Sequence, residues 1–411
     1  MRPTIAVLAT LDTKGPEAAY LRDRLRDRGL DALLVDCGIL APPLDVTADV
    51  SSDDVARHSG ASIAQLREAG TRGQAVAAMR TMLADFVEHL YAEGRIAGAI
   101  GIGGAEGAVM TASAMMRLPI GAPKVVISPI ASGRHEFAPL VGTRDTMVVH
   151  SVVDILGLNS ISRTIFDNVA AAVAGMVEHG HGGADSRESA ERTVAVTMLG
   201  NTTRAVMALR DELAEAGFTT MVFHSNGVGG PAMEELAAEG YFRGVVDFTT
   251  NEVTDPLVGG IHDGGPNRLR VIGELGLPQV VVPGCIDFAV FEPSQIPPAL
   301  ADRPSYDHNP EFRLIRTSPA DMLTVASVFA ERLGAGKGPI RVAIPTQGLS
   351  IPNVPGGPFW DPPADAAFRE RLRAELRDDI PVSTHDYHVN DPEFGRLVAR
   401  LFLDLISEAQ P

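Results

Sequence analysis

The chain opens with a short apolar segment, a segment of helical periodicity and a second apolar segment. Thr4–Thr10 is rich in aliphatic and β-branched residues, which is typical of a strand buried in a parallel sheet. A polar turn, Leu11–Gly15, follows, and the next segment is apolar on one helical face until Gly29 ends it. Asp31–Asp36 has the pattern of a second buried strand. The chain is therefore predicted to begin with a βαβ unit.

The same order of segments recurs in the second half of the chain. Thr193–Leu199 has the pattern of a strand, Ala205–Ala216 that of a helix ended by Gly217, and Thr219–His224 that of the next strand. We interpret the recurrence as two similar α/β units in tandem. The alternative is that two unrelated βαβ units look alike because the same physics shapes both.

Further apolar runs complete a predicted sheet in each half. The additional strands are expected at Gly98–Ile102, Lys124–Ile130, Gly244–Phe248, Gln279–Val282, Arg341–Ile344 and Pro381–Thr384, with helices such as Gln74–Ala92, Asp365–Leu376 and Pro392–Ile406 between them. Glu178–Arg192 is polar and Gly-rich and lacks apolar periodicity, so we predict it to be the linker. The predicted fold class is α/β, with two Rossmann-like, doubly wound domains (residues 1–185 and 186–411), parallel sheets and an interdomain cleft.

Composition narrows the class of protein. Of 411 residues, 45% are hydrophobic and 21% are charged, which excludes intrinsic disorder. The net charge of −17 disfavours nucleic acid as a partner. Cys37 and Cys285 form neither a disulfide framework nor a CxxC pair, and we predict no metal site. No uncharged run is long enough to span a membrane, and the first apolar segment has no signal-peptide pattern, so we expect a cytoplasmic protein.

The loop after the first strand has the composition of an anion site. Asp12, Thr13 and Lys14 precede a predicted helix, whose N-terminus favours negative charge. Lys14 is one of three lysines in the chain, which makes it a candidate phosphate contact; the alternative is a solvated surface lysine. Asp36 ends the second strand, where nucleotide-binding α/β folds place an acid against a ribose hydroxyl.

Three further segments of the first domain suit a phosphate or a ribose. A Gly-rich loop follows the third strand, and its backbone could approach a phosphate closely, with a tight structural turn as the alternative. The carboxylate of Glu106 in this loop suits a metal or a ribose rather than a phosphate. The candidates are Gly103, Gly104, Ala105, Glu106 and Gly107 in the loop, with Ser132, Gly133, Gly142 and Thr143 in the two later segments.

The second domain carries a matching set of loops at the predicted strand ends. The substrate-binding candidates are small or polar residues, namely Ser225, Asn226, Gly227, Gly229, Gly230, Thr249 and Thr250. His224, Glu252 and Asp287 are candidates for general acid or base catalysis. The alternative for these three is a structural role, in which they cap helices and satisfy loop amides.

Several long motifs of this chain resemble an uncharacterised protein family. They include TLDTKGPEAAYLRD, IGIGGAEGA, FHSNGVGGPAMEEL, VVDFTTNEVTDPLVGG, HNPEF and PGGPFWDP, and the resemblance spans about residues 3–407. That family shares its fold with the amino-terminal, ATP-binding inhibitor domain of the tomato mosaic virus resistance protein, which binds and inhibits a viral replication protein. The resemblance implies two Rossmann-like domains and ATP as cofactor, with magnesium as an optional companion.

The motifs and the resemblance together predict a nucleotide-binding protein. ATP is expected in the first domain, and a small anionic metabolite in the interdomain cleft. The alternative is a hydrolase or lyase acting on a small acidic or phosphorylated metabolite, so the sequence leaves open whether the protein is an enzyme. No nucleic acid or membrane partner is expected, and a homo-oligomer is compatible with the sequence.

Overall fold

The computed structural model of the chain describes residues 2–68, 70–131, 140–180 and 190–408. The chain divides into two units, residues 1–184 (unit 1) and residues 185–411 (unit 2). Both units are α/β, as the sequence predicts. None of the described helices is long and apolar enough to cross a membrane.

Unit 1 is built on a five-stranded sheet in which every strand pair is parallel. Its strands, in the spatial order β2-β1-β3-β4-β5, are β1 (Thr4–Ala9), β2 (Asp31–Asp36), β3 (Gly98–Ile102), β4 (Lys124–Ser128) and β5 (Met147–His150). Its helices are α1 (Leu11–Arg26), α2 (Ser52–His58), α3 (Ile63–Arg67), α4 (Arg72–Ala92), α5 (Ala105–Met115) and α6 (Ser160–His179).

Helices cover both faces of this sheet. Successive strand residues point to opposite faces, so Ile5 belongs to one core and Ala6 to the other. The first core contains Leu21 of α1 and Phe166 of α6, while the second contains residues of α2 to α5, such as Met79. Because both faces are buried, the strands are continuous apolar runs rather than alternating ones. The prediction of a doubly wound parallel sheet is confirmed.

Unit 2 contains a six-stranded parallel sheet and a small antiparallel sheet. Its strands are β6 (Thr193–Met198), β7 (Thr219–His224), β8 (Gly244–Thr249), β9 (Gln279–Gly284), β10 (Phe288–Phe291), β11 (Ser305–Asp307), β12 (Arg313–Arg316), β13 (Ile340–Pro345) and β14 (Val382–His385). The parallel order is β14-β13-β9-β8-β6-β7, and the antiparallel order is β10-β12-β11. The helices are α7 (Thr203–Glu215), α8 (Gly229–Ala238), α9 (Asn251–Val258), α10 (Val271–Glu274), α11 (Pro319–Gly334), α12 (Pro362–Glu375) and α13 (Pro392–Glu408).

The two parallel sheets share one strand order. β1 lies between β2 and β3, and β6 lies in the same way between β7 and β8. At such a switch point the connections that leave neighbouring strands diverge, and a crevice opens at the carboxyl ends of the strands. The topology therefore gives each unit one place where a ligand site is expected.

The structure also differs from the sequence prediction. The pattern does not predict β5, α6 or the antiparallel sheet, whose strands of three or four residues are too short to show a period. The predicted turn Leu11–Gly15 is helical from Leu11, with a kink at Lys14, because Pro16 lacks the N–H that would bond to the preceding turn. Most of the predicted linker lies outside the described residues, but Glu178 belongs to α6.

Candidate functional site

Unit 1 has a small cavity at its switch point. Its volume is about 110 Å³, below the roughly 300–1,000 Å³ of typical ligand pockets. It is bounded by the loops after β1 and β2 and by the beginnings of α4 and α5. Its lining is Thr10, Asp12, Thr13, Cys37, Ile39, Leu40, Arg72, Val76, Glu106, Gly107 and Met110. Four predicted cofactor residues, Asp12, Thr13, Glu106 and Gly107, thus meet at this unit 1 cavity.

Two helices begin beside the unit 1 cavity. The residues that precede them, Thr10 before α1 and Gly104 before α5, do not cap them with a side chain. Backbone N–H groups in the first turn of such a helix are hydrogen-bond donors for an anion. The guanidinium of Arg72 lies 2.8 Å from the Glu106 carboxylate, and both side chains are largely exposed.

Asp36 stabilises the start of α1 instead of facing a ligand. Its Oδ1 accepts hydrogen bonds from the backbone N–H of Leu11 at 3.0 Å and of Gly38 at 2.8 Å. The side chain is buried, and this burial raises the pKa of the carboxyl group. The predicted ribose contact is therefore replaced by a structural one.

Lys14 is engaged away from the unit 1 cavity. Its ammonium donates to the backbone carbonyl of Ile155, in the segment between β5 and α6, and Lys14 does not line the cavity. The side chain ties α1 to that segment. This contact corrects the prediction of a phosphate contact and also the alternative of a solvated lysine.

The Gly-rich loop is shaped by one of its glycines. A Cβ on Gly103 would lie 2.5 Å from the backbone nitrogen of Ala108, so only glycine fits there. A Cβ on Gly104 would meet nothing within 4 Å, and one on Gly107 would meet only atoms at 3.9 Å or more. The turn therefore requires Gly103, and Ala105 simply begins α5.

Gly142 and Thr143 lie at the amino ends of the strands, whereas the unit 1 cavity lies at the carboxyl ends. They precede β5, and Asp145, two residues later, pairs with Lys124 at 2.7 Å, at the first residue of β4. Gly142 also approaches Met116, just beyond the last residue of α5, the end remote from the cavity. These two residues are therefore not part of the predicted nucleotide edge. Ser132 and Gly133 lie outside the described residues.

Unit 2 has a larger cavity at its own switch point. Its volume is about 370 Å³, within the range of ligand pockets. It lies after β6 and β7, and the antiparallel sheet closes one side. Its lining is Leu199, Gly200, Asn201, His224, Asn226, Ile261, His262, Phe288, Val290, His308, Asn309, Phe312 and Leu314. We call this the histidine cavity, because three imidazoles line it.

Buried side chains of α9 hold one of these imidazoles, that of His262. Its Nδ1 lies 3.1 Å from Nδ2 of Asn251 and 3.7 Å from Oδ2 of Asp255. Asn251 Nδ2 also donates to Asp255 Oδ2 at 3.1 Å, and Ser225 Oγ donates to Asn251 Oδ1. The second carboxylate oxygen of Asp255 accepts from the backbone N–H of Val290 at 2.7 Å.

Burial controls the protonation of this group. It lowers the pKa of His262 to about 4, with a further contribution from the imidazoles of His224 and His308. Burial also raises the pKa of Asp255 well above its ordinary value, against the effect of the hydrogen bonds that it accepts. His262 is therefore a neutral imidazole at physiological pH.

The third imidazole comes from the hairpin of β11 and β12. Asn309 Oδ1 accepts from the backbone N–H of Glu311 at 3.0 Å and of Phe312 at 2.7 Å, which fixes the turn. The ring of Phe312 packs against that of His262, with 6.4 Å between their centres. Gly200 lies close to this imidazole, because a Cβ on Gly200 would have the His308 ring as its nearest neighbour, at 3.9 Å.

Glu252, a predicted catalytic residue, is part of a buried charge cluster. Its Oε2 lies 2.7 Å from Nε of Arg268, and its Oε1 accepts from the backbone N–H groups of Gly227 and Gly230. Arg268 also pairs with Asp247 at 2.5 Å and with Glu234 at 3.2 Å. Glu252 therefore shapes the loop before α8 and does not reach the histidine cavity.

Burial changes the pKa of Glu234, one of the carboxylates of this cluster. Desolvation raises its pKa to about 7, against the opposing effect of Arg268. Its Oε1 accepts from Arg268 and from the backbone N–H of Leu269 at 2.7 Å. One arginine thus faces three carboxylates.

Asp287, the third catalytic candidate, is also buried outside the cavity. Its Oδ2 accepts from Ser350 Oγ at 2.6 Å, and burial raises the pKa of the carboxyl group despite the nearby Arg316. Cys285 is buried as well, and burial raises the pKa of its thiol, which disfavours a nucleophilic role.

Most of the predicted substrate residues have structural roles. Ser225 and Thr249 are fully buried, and Thr250 donates from Oγ1 to the Val282 carbonyl. A Cβ on Gly229 would lie 2.0 Å from the carbonyl oxygen of His224. Of the ten second-domain candidates, those that line the histidine cavity are His224 and Asn226.

The sequence prediction misses most of the histidine cavity. His262, His308 and Phe312 belong to loops that follow no predicted strand. The HNPEF motif, which contains His308 and Phe312, was the available signal for two of them. No described group of three or more His, Cys, Asp or Glu residues is arranged to hold a metal ion.

Comparison with family models places both units in one family. Residues 3–182 match the N-terminal domain, and residues 191–406 the C-terminal domain, of the uncharacterised protein family UPF0261. The two matches together span nearly the whole chain. The chain belongs to this family.

Individual relatives agree with this assignment. A UPF0261 protein of Clostridium tetani is 34% identical over 99% of this chain and 100% of its own length. Another, from Mesorhizobium japonicum, is 37% identical over 98% of each chain. The ToMV susceptible protein tm-1(GCR26) of Solanum lycopersicum is 35% identical over 98% of this chain, which spans 56% of the length of that tomato protein.

Proposed function

We propose that this protein binds a small anionic ligand in the histidine cavity of unit 2. The observation that carries the proposal is the composition of the cavity wall at the switch point. Imidazoles and amides, such as those of His224, His262 and Asn201, supply N–H donors, and no acidic residue is among the described residues that line it. The free energy of binding would come from these donors and from burial of the ligand.

The geometry favours binding over the catalysis that the sequence leaves open as an alternative. Glu252 and Asp287 are buried and engaged outside the cavity, so neither is positioned to act on a ligand there. His224 remains the one predicted acid–base candidate at the cavity. A hydrolase or lyase built on Glu252 and Asp287 is therefore not proposed.

The ligand site can be tested with two glycine substitutions. Gly200→Leu places a side chain inside the cavity, whereas Gly334→Leu, at the end of α11, extends into open space. We expect native mass spectrometry of the purified wild-type protein to show a retained small anion. Gly200→Leu should lose this anion and Gly334→Leu should keep it. Equal retention by both variants would place the anion elsewhere and overturn the proposal.

As a second function, we propose that unit 1 binds ATP as its magnesium complex. Support comes from the resemblance and from the start of α5 beside the unit 1 cavity, whose first-turn N–H groups suit a phosphate. Asp12 and Glu106 would repel a bare phosphate, so the residues fit a phosphate that carries a cation. The cavity would have to widen for a whole nucleotide, because its volume is about 110 Å³.

Calorimetry with ATP tests this second function. We expect binding in the presence of Mg²⁺ and at least about tenfold weaker binding in EDTA, a difference of roughly 1.4 kcal/mol. Gly107→Leu, which fills the unit 1 cavity, should abolish binding, while Gly104→Leu should not. Loss of ATP binding in Gly200→Leu instead would assign the nucleotide to unit 2.

A further inference from the structure

The wall of the histidine cavity combines two kinds of side chain. Phe288, Phe312 and Leu314 give it an apolar surface, while His224 and His262 supply ring nitrogens. A ligand that is polar throughout would leave the apolar wall without contacts. The wall therefore fits a ligand with an apolar body and a small polar group.

The charge of the wall limits the charge of that polar group. Neither lysine nor arginine occurs among the described residues that line the cavity. A triphosphate or a dicarboxylate would bring several negative charges without a fixed cation to balance them. A single carboxylate brings one charge, which N–H donors can stabilise.

Asn251 determines which nitrogen of His262 carries the proton. Asn251 Nδ2 donates to Asp255 Oδ2 at 3.1 Å and lies 3.1 Å from Nδ1 of His262. Its Oδ1 is on the other side, 3.1 Å from Ser225 Oγ, which also donates to the Thr249 carbonyl at 2.8 Å. An amide nitrogen only donates, so Nδ1 of His262 must accept. The proton of the neutral ring is then on Nε2, the ring nitrogen that is available to a ligand in the cavity.

We propose that the histidine cavity binds a small monocarboxylate with an apolar body, and that the neutral imidazole of His262 donates from Nε2–H to a carboxylate oxygen. This inference rests on the proposed function, to which it adds the class of ligand and the residue that recognises it. The low pKa of His262, about 4, agrees with a neutral donor. The side-chain amide of Asn251 holds the ring, so this neutral N–H donor is pre-organised and its orientation costs little free energy on binding.

The tautomer can be measured without any ligand. In the full-length protein with ¹⁵N-labelled histidine, His262 signals are assigned by their loss in His262→Leu. We expect a protonated Nε2 and an unprotonated Nδ1 at all values between about pH 5 and pH 8. A protonated Nδ1, or a doubly protonated ring in this range, would overturn the inference whatever the cavity binds.

Calorimetry with benzoate tests recognition, with benzyl alcohol as a neutral control of similar size. We expect benzoate to bind the wild type and benzyl alcohol to bind more weakly. His262→Leu should weaken benzoate binding by about 10- to 100-fold, the range for a hydrogen bond to a charged group. His262→Gln, which restores a side-chain N–H donor, should recover at least about fivefold of this loss.

The outcomes separate this inference from the proposed function. Benzoate binding that is lost in Gly200→Leu but unchanged in His262→Leu would leave the cavity as an anion site and overturn the role of His262. Binding of inorganic phosphate in preference to benzoate would overturn the ligand class. No binding of benzoate or phosphate to the wild type would contradict both the inference and the proposed function, even with the expected tautomer.

Discussion

Glu234→Gln should make unit 2 more stable at neutral and alkaline pH. The pKa of Glu234 is raised from 4.5 to about 7 in the folded protein, so the native state holds a proton that the unfolded chain has released. The stability that Glu234 contributes is therefore fully present below about pH 4.5 and is lost as the pH rises through 7. Gln keeps an oxygen for Arg268 and Leu269 and does not titrate.

The expected difference in stability follows from the size of the pKa shift of Glu234. Each pH unit between the two pKa values corresponds to about 1.4 kcal/mol, so the loss in the wild type is on the order of 3 kcal/mol. Glu234→Gln and the wild type should have similar free energies of unfolding near pH 5. Above about pH 7 the variant should be more stable by that amount.

The single tryptophan makes the measurement specific to unit 2. Trp360 is the one tryptophan of the chain and lies in unit 2, so its fluorescence follows the unfolding of that unit in urea. Glu215→Gln, on the exposed surface of α7, is the matched control. If the wild type and Glu234→Gln showed the same pH dependence of stability, the raised pKa of Glu234 would be refuted.

Three further experiments test other parts of the structure. Lys14→Met should destabilise unit 1 by about 1.5 kcal/mol, because the hydrogen bond to the Ile155 carbonyl is lost. The affinity for ATP should stay within about twofold of the wild type. A large loss of affinity in calorimetry would assign Lys14 to the nucleotide site after all. Glu252→Gln should lower the urea stability of unit 2 by about 1–3 kcal/mol, because an amide N–H replaces an acceptor of Arg268; unchanged stability would contradict the buried pair. Gly103→Ala should lower the stability of unit 1 in thermal unfolding by about 1–3 kcal/mol, and Gly104→Ala by less than about 0.5 kcal/mol. Equal effects of the two substitutions would contradict the described turn.

The parallel strands were predictable because their signal is local. Most of the strands are short apolar runs, and the strands at Asp31–Asp36, Gly98–Ile102 and Thr219–His224 have the predicted bounds. β5 gives a weaker signal because it is only four residues long. The absence of β5 from the prediction also explains the error at Gly142, which precedes that strand and so lies at the amino edge of the sheet.

The candidate site was predictable only where it follows a predicted strand. His224 is the last residue of β7 and Asn226 follows shortly after it, and the sequence identifies both. His308 and Phe312 approach the same cavity from a hairpin that begins about 80 residues later in the chain, and no local pattern reports such a contact. Lys14 fails for the same reason, because its partner Ile155 is 141 residues away. A ligand site between the two units stays a prediction.

The hairpin of β11 and β12 has a consequence for how the histidine cavity can be altered. It is an insertion between β9 and β13 of the parallel sheet, and its tip is held by bonds of its own residue Asn309. Changes at His308 or Phe312 therefore alter one wall of the cavity without disturbing the strands that support the other. This one short segment can therefore be replaced by design to reshape one wall of the cavity, while the parallel sheet and α9 are kept.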